Sequence, residues 1–335
     1  MMEIYQIRRF LQEGTDLRNE STVEIRRLGS PLLRKSSSLK VWKRGLPLYL
    51  MILPGLLFFL IFRYLPMGGI VIAFQDYSPF AGFTGSEWVG FAHFERLFGE
   101  ADFWSLLKNT LILSALNLFL FFPAPIVIAV VLNEVRVQWF KKFVQTAIYM
   151  PHFLSWVVVV GITVILFATQ EGAINKALAD AGFARLEIMT DPKYFRIVYV
   201  LQNVWKEAGW NAIIFLAALA SVDPTLYEAA VVDGANRWKQ LWYVTLPALR
   251  STIVILFILR LGHVMDIGFE HIYLLQNSLN LSVSDVFDTY VYRTGVLQGE
   301  FSYTTAVGLF KSCIGLILIV IANKMSKKAG EEGVY

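Results

Sequence analysis

Arg260, His263, Asp266, Glu270 and His271 interrupt the apolar run STIVILFILRLGHVMDIGFEHIYLL. Steps of three residues join the first three, and a step of four leads on to Glu270. On a continuous helix those intervals place all four side chains on one face. A charge at the centre of a membrane helix costs about 2.5–3.5 kcal/mol on insertion scales, so such a stripe must face protein or water. An upstream run carries Gln202, Asn203, Lys206, Glu207 and Asn211, partly on a similar stripe. Two chemistries fit. One is a hydrated pathway for a polar solute, lined by Lys206, Glu207, Asn211, Arg260, His263, Asp266 and Glu270. The other is interhelical ion pairing, Arg260 with Asp266 or Glu207, which fixes packing. The pathway is favoured, because ionisable residues inside a span are functional by default.

Other chemistries lack their residues. No G-x-x-x-x-G-K-[ST] phosphate loop occurs, so ATP hydrolysis by that route is not expected of this chain. His93, His152, His263 and His271 form no H-E-x-x-H pair, and no Ser/His/Asp constellation stands out. The lone Cys313 sits in an apolar run and permits neither a disulfide framework nor a cysteine metal site. The chain is expected to be neither an enzyme nor a holder of a metal or cofactor.

The elements that must position the polar stripe are membrane helices. Of 335 residues, 56% are apolar and 15% aromatic, with a mean hydropathy of +0.53, which excludes an ordinary soluble protein. Six runs are long enough to cross about 30 Å of hydrocarbon, near 46–66, 104–132, 144–168, 197–222, 251–275 and 302–323. The expected fold is all-α and integral to the membrane, with six transmembrane helices over 46–323. Pro123, Pro125 and Pro151 predict kinks whose freed carbonyls neighbours satisfy.

Lys and Arg set the orientation. With the N-terminus inside, the inner segments carry 19 of them and the outer segments 5. That bias puts both termini in the cytoplasm. Basic residues gather at membrane-flanking positions, so the net charge of +4 does not point to nucleic acid. Residues 1–45 read as a basic cytoplasmic tail, a solvated extension in preference to a lipid-binding helix, and 324–335 as a second tail. The first apolar run follows more than forty polar and basic residues, which is not the layout of a cleavable signal peptide. Outside, 75–103 reads as a compact Gly- and aromatic-rich loop at the interface, and 173–184 as a short surface helix.

Between the fourth and fifth runs lies a polar island, EAAVVDGANRWKQLWYVTLP, residues 228–247. Helix formers before Asp233-Gly234 and an amphipathic stretch after it predict two short helices joined at a bend, with Glu228 at the start of the first. Gly234 can take a positive φ there without steric cost. The residue before Pro247 avoids the α region, which restricts entry to the next run. From the physics alone, a connector lying on the membrane and a grip for a partner fit equally well.

The spacing of Glu228-Ala229-Ala230, Asp233-Gly234, Val244 and Leu246-Pro247 resembles the cytoplasmic EAA loop of permease subunits of binding-protein-dependent ABC importers. Val244 stands where isoleucine is commoner. Over roughly 45–330 the chain resembles one branch of the carbohydrate-importer permeases, those for oligosaccharides of the alginate and rhamnogalacturonan type. The segments YLPMGGIVIAFQDYSPF, WVGFAHFERLF, FFPAPIVIAVVLNEVR, YMPHFLSWVVVVGI and TYVYRTGVLQGEFSYTTAVGLFKS carry it. The resemblance implies a core of five helices plus an N-terminal helix that embraces a second homologous permease. It implies two ATP-binding subunits that hold ATP and Mg, an extracytoplasmic solute-binding protein, and a carbohydrate, possible uronates included, imported across the bacterial plasma membrane. Rival readings are an ion-coupled secondary transporter, which would need inverted repeats and coupling-ion sites, and a membrane scaffold without flux.

Overall fold

A computed structural model describes residues 38–330 and Gly333, with the side chains of 38–45 excepted. Residues 1–37, most of the expected basic tail, lie outside the described residues. Two compact units divide after Gly68. In the first, helix α1, Ser38–Phe59, continues through a π turn at Leu60–Tyr64. Its side chains from Leu46 to Met67 are all exposed.

In the second unit an antiparallel hairpin, β1 Gln75–Asp76 with β2 Glu87–Trp88, leads to helix α2, Ala92–Gly99. Helix α3, Asp102–Leu116, continues through the π turn Asn117–Phe121 into α4, Pro123–Glu134. Then come α5, Gln138–Tyr149, α6, Trp156–Phe167, and the short α7, Ala173–Asp180. Helix α8, Pro192–Ala220, is followed by α9, Pro224–Val232, and α10, Arg237–Gln240. The π turn Leu241–Thr245 joins α10 to α11, Leu246–Gly262. Short helices α12, Phe269–Leu275, α13, Leu281–Ser284, and α14, Phe287–Val291, precede α15, Phe301–Lys328.

Four stretches are long and apolar enough to cross a membrane unbroken: Leu46–Phe74, Asp102–Glu134, Arg237–Gly262 and Phe301–Lys328. Two more pass only as bent pairs, Gln138–Phe153 with Trp156–Phe167 at 99° and Pro192–Ala220 with Pro224–Val232 at 71°. Two expectations are corrected. The run 144–168 is broken at Met150–Ser155. The run 251–275 is not one helix, because α11 stops at Gly262 and the chain is irregular until Gly268, whose φ is 95°. The last helix extends to Lys328, five residues beyond the expected span.

Proline explains three of the π turns. Leu65, Phe122 and Leu246 each precede a proline, and each donates its N–H to the carbonyl five residues back. Proline supplies no N–H and its ring crowds the carbonyl four residues back. One wider turn ahead of it lets the helix continue. Pro66, Pro123 and Pro247 therefore sit inside spans that stay continuous, and Leu246 keeps helical φ and ψ of −67° and −42° instead of leaving the α region. At Pro151 the chain turns instead into the 3-10 segment Met150–Phe153.

Capping fixes where α8 and α9 begin. Asp191 and Asp223 accept the backbone N–H two residues on, at 3.0 and 2.9 Å, and each is followed by proline in the first helical position. The interior is small and apolar where α8 meets α4, with Ala129, Ala212, Phe215, Leu219 and Leu249 in one cluster. A second cluster holds Leu113, Tyr199, Ile272 and Val286, and a third holds Leu97, Phe103, Met265, Phe287 and Tyr303. On that third side Glu100 accepts hydrogen bonds from Tyr290 and Tyr303, and Arg96 bridges it to Glu300. Burial alone would raise the Glu100 carboxyl, but these bonds outweigh it and hold the group below the ordinary carboxylate range.

Helix α8 touches α5 at backbone distance. A Cβ on Gly209 would lie 2.1 Å from the Ile148 carbonyl oxygen, which cannot rotate away. Gly209→Ala is therefore expected to cost about 1–3 kcal/mol, read as a fall in Tm in detergent. Gly308→Ala, where a Cβ meets nothing within 4 Å, should leave Tm unchanged or raise it slightly.

Candidate functional site

The expected stripe separates into two groups. Lys206 and Glu207, on α8, grip the broken α5–α6 pair. The Lys206 Nζ donates to the His152 carbonyl at 2.9 Å and to Glu207 Oε1 at 2.6 Å. Glu207 Oε2 lies 2.7 Å from His152 Nδ1, and the His152 ring stacks on Trp210 at 4.5 Å. Lys206 also lies 5.1 Å from the Trp156 ring. A carbonyl left without a helical partner by the break thus receives a buried cation, whose charge Glu207 balances. Next to it, His271 stacks on Trp156 at 3.7 Å and its Nε2 lies 2.7 Å from Gln202 Oε1. Gln202 in turn donates to Thr163 at 2.6 Å.

The second group lines a cleft of about 220 Å³ walled by Phe121, Phe122, Phe215 and Leu256, with Asn211, Arg260 and His263 contributing polar atoms. A smaller recess shares Arg260 and His263 and adds Ser114, Asn117 and Asp266. The expected single face is corrected: α11 ends at Gly262, so His263, Asp266 and Glu270 follow irregular backbone, and Glu270 starts α12 on an exposed position. The break is held from outside. Ser114 donates to the Val264 carbonyl, Tyr199 donates to the Ile267 carbonyl at 2.6 Å, and Asn117 donates to Tyr199 at 2.7 Å. Irregular backbone at membrane depth is tolerated where protein satisfies it or where it lines a cavity, and both hold here.

The alternative reading, pairing of Arg260 with Asp266 or Glu207, is not what the structure shows. Glu207 is committed to Lys206 and His152, and Asp266 to Lys311 at 2.8 Å. Among the described residues Arg260 makes no ion pair or side-chain hydrogen bond, and its guanidinium lies 5.6 Å from the Phe121 ring. Sequence reasoning missed Lys311, Tyr199 and Ser114. Lys311 alone was signalled, as the one charge inside the apolar run from Phe301 to Val320.

The polar island forms the expected bend. After α9, Gly234 takes φ 75°, Ala235 N donates to Ala230 O at 2.8 Å and Gly234 N to Val231 O at 3.0 Å. That pair is a Schellman closure, which requires the left-handed residue. Asn236 then caps α10 by accepting from Lys239 N at 2.9 Å. Two expectations are corrected. Glu228 lies mid-helix, because α9 starts at Pro224. The second short helix is not separate, because it runs on through Leu246 and Pro247 into α11. Glu228, Ala229, Asp233, Gly234 and Pro247 are exposed, while Ala230 and Leu246 are half-buried. Arg237 pairs with Glu134 at the end of α4, and Tyr227 lies 3.1 Å from Thr245 across the bend.

An exposed loop is thus built into the base of the Arg237–Gly262 span, and the cleft lies at the other end of that span. Residues 121–330 match the family described as binding-protein-dependent transport system inner membrane component. The chain belongs to that family. The polygalacturonan/rhamnogalacturonan transport system permease protein YteP of Bacillus subtilis (strain 168) is 57% identical over 288 residues, 86% of this chain and 90% of that protein. Protein LplB of the same organism is 53% identical over 293 residues, covering 88% and 92%. A chain in the crystal structure of a bacterial alginate ABC transporter, in complex with its alginate pentasaccharide-bound periplasmic protein, superposes with TM-score 0.81 at 41% identity. The match covers 89% of this chain and 99% of that one. The chain is thus a helical, multi-pass membrane permease of ABC transporter type.

The Lys206–Glu207 pair is testable as a structural unit. Glu207→Gln should cost about 3 kcal/mol by leaving a buried cation unbalanced, whereas Lys206→Met with Glu207→Gln should cost less than the single change. Unfolding in detergent measures both, and strictly additive losses would mean that the two side chains act independently.

Proposed function

We propose that this chain is one of two permease subunits of an ABC importer that moves an oligosaccharide, uronate-containing, across the bacterial plasma membrane. In this reading six spans cross the membrane with both termini inside. ATP is hydrolysed in separate subunits, and a solute-binding protein delivers the sugar from outside. The exposed first helix serves a partner permease and lipid. The relatives that handle galacturonan, rhamnogalacturonan and alginate support an acidic carbohydrate.

One observation carries the mechanism: the 26 residues Arg237–Gly262 run from the bend to the cleft as a single unbroken helical span. At 1.5 Å per residue that is a rod of about 39 Å. When ATP draws its subunits together, the α9–α10 bend moves with the surface on which it sits. The rod carries that displacement to Arg260 and to the break at His263–Gly268. ATP shifts the equilibrium through its differential contacts with the closed state. The cleft then changes the side on which it opens, and the sugar passes.

The loop is tested first. Glu228→Lys reverses an exposed charge at the docking surface, and Gly234→Asp forces a left-handed residue at a cost of about 1–2 kcal/mol. Both variants should insert and pair with the partner permease, but co-purification of the ATP-binding subunit and binding-protein-stimulated ATPase should fall about tenfold or more. Normal docking and stimulation in both would reduce the bend to a connector. The cleft is tested separately. Arg260→Gln removes a charge-assisted hydrogen bond, so uptake of a uronate oligosaccharide should drop roughly tenfold or more while a neutral one falls far less. Equal losses would remove the acidic assignment.

A further inference from the structure

Arg260 and Asp266 line the same recess, opposite charges with irregular backbone between them, yet they do not pair. The carboxylate is held elsewhere. Lys311 on α15 binds Asp266 Oδ1 at 2.8 Å and also binds Asp288 on α14. The Lys311 and Asp288 side chains are only 10% and 17% exposed, whereas Asp266, which lines the recess, is 61% exposed. His263 Nδ1 stands 3.8 Å from the other Asp266 oxygen.

The placement of Lys311 is fixed by backbone contact. A Cβ on Gly315 would lie 2.5 Å from the Gly262 carbonyl oxygen, and one on Gly262 would lie 2.2 Å from Ile319 Cδ1. Helices α11 and α15 therefore touch where α11 ends. Lys311 is one turn from Gly315 on the same face of α15, so its ammonium meets the chain as it leaves the helix. Two carboxylates share that ammonium, and together they carry one negative charge more than it neutralises.

We propose that Lys311 is a positioning residue for specificity: by holding Asp266 on the α15 side of the recess, it keeps the Arg260 guanidinium free for an anionic cargo. This rests on the reading of the cleft as the sugar pathway. Were Lys311 absent, Asp266 would be a carboxylate without its lysine partner in the recess that Arg260 also lines, where opposite charges attract. It would turn to Arg260, and an acidic sugar would have to displace it. The cation that selects the cargo and the cation that protects it are thus different residues, on different spans.

The test uses the complete reconstituted importer with its binding protein, which is the same for every variant. The probes are trigalacturonate and its fully methyl-esterified, uncharged form, and the readout is the ratio of their ATP-dependent uptake. Asp288→Asn is included throughout, so that no buried carboxylate is stranded when Lys311 is changed. Relative to Asp288→Asn alone, adding Lys311→Met should lower the acidic-to-neutral ratio about tenfold, the worth of one charge-assisted bond. Adding Asp266→Asn to that pair should restore the ratio to within about twofold, because the competitor for Arg260 has lost its charge. Lys311→Gln, whose amide can hydrogen-bond position 288, replaces the Met variant if that one does not assemble, and is read in the same way. A ratio that does not move on loss of Lys311 overturns the proposal. So does a ratio that falls and is not restored by Asp266→Asn, since a merely structural lysine would behave in that way. Arg260→Gln separates the two levels: an unchanged ratio there, or uptake of neither probe by the native importer, refutes the cleft reading itself.

Discussion

Inside a bilayer no water is available to a backbone N–H or C=O that loses its helical partner, and this constraint organises the structure. Each departure from regular helix has its own remedy. Three prolines are absorbed by π turns that keep their spans continuous. The break at Met150–Ser155 gives its His152 carbonyl to Lys206. The break at His263–Gly268 gives carbonyls to Ser114 and Tyr199. The polar residues that look like a pathway in the sequence are thus partly occupied in making irregular backbone tolerable. Only those left over are available to a solute.

That division gives the cleft its character. Lys206 has a carboxylate, a carbonyl and an aromatic ring around it, and Lys311 has two carboxylates. Arg260 has an aromatic neighbour and, among the described residues, no anion. Phe121, Phe122 and Phe215 supply apolar faces of the kind that sugar rings pack on, beside one guanidinium and the amide of Asn211. A mostly apolar wall with a few fixed polar groups suits the sugar site proposed for this cleft.

The proposed coupling depends on continuity. A loop joined to its span by a flexible linker would dissipate any displacement. Here the π turn before Pro247 makes α10 and α11 one continuous helix, the Schellman closure at Gly234 and the Asn236 cap fix the bend at its base, and Arg237–Glu134 ties that base to α4. The same rod ends at Gly262, where contact with Gly315 of α15 fixes the start of the break. In the proposed mechanism, movement at the bend would arrive where the chain is least regular.

The sequence by itself determined the membrane class, the apolar stretches and the bend at 228–247, because these rest on local composition and on short-range signals such as Gly234 and Pro247. It also named Arg260, Asn211 and His263, which meet at one cleft. It did not show where helices stop. Both Met150–Ser155 and His263–Gly268 lie within long, predominantly apolar runs, so a hydropathy reading runs across both breaks. Those breaks exist because side chains distant in sequence satisfy them: Ser114 meets Val264 and Tyr199 meets Ile267, 150 and 68 residues apart. Ion pairing was likewise undecided, since Arg260, Lys206 and Lys311 are equally cationic in a sequence. Only the packing of α8 on α5 and of α15 on α11 gave Lys206 the His152 carbonyl and Lys311 the Asp266 carboxylate, and among the described residues left Arg260 without an anion.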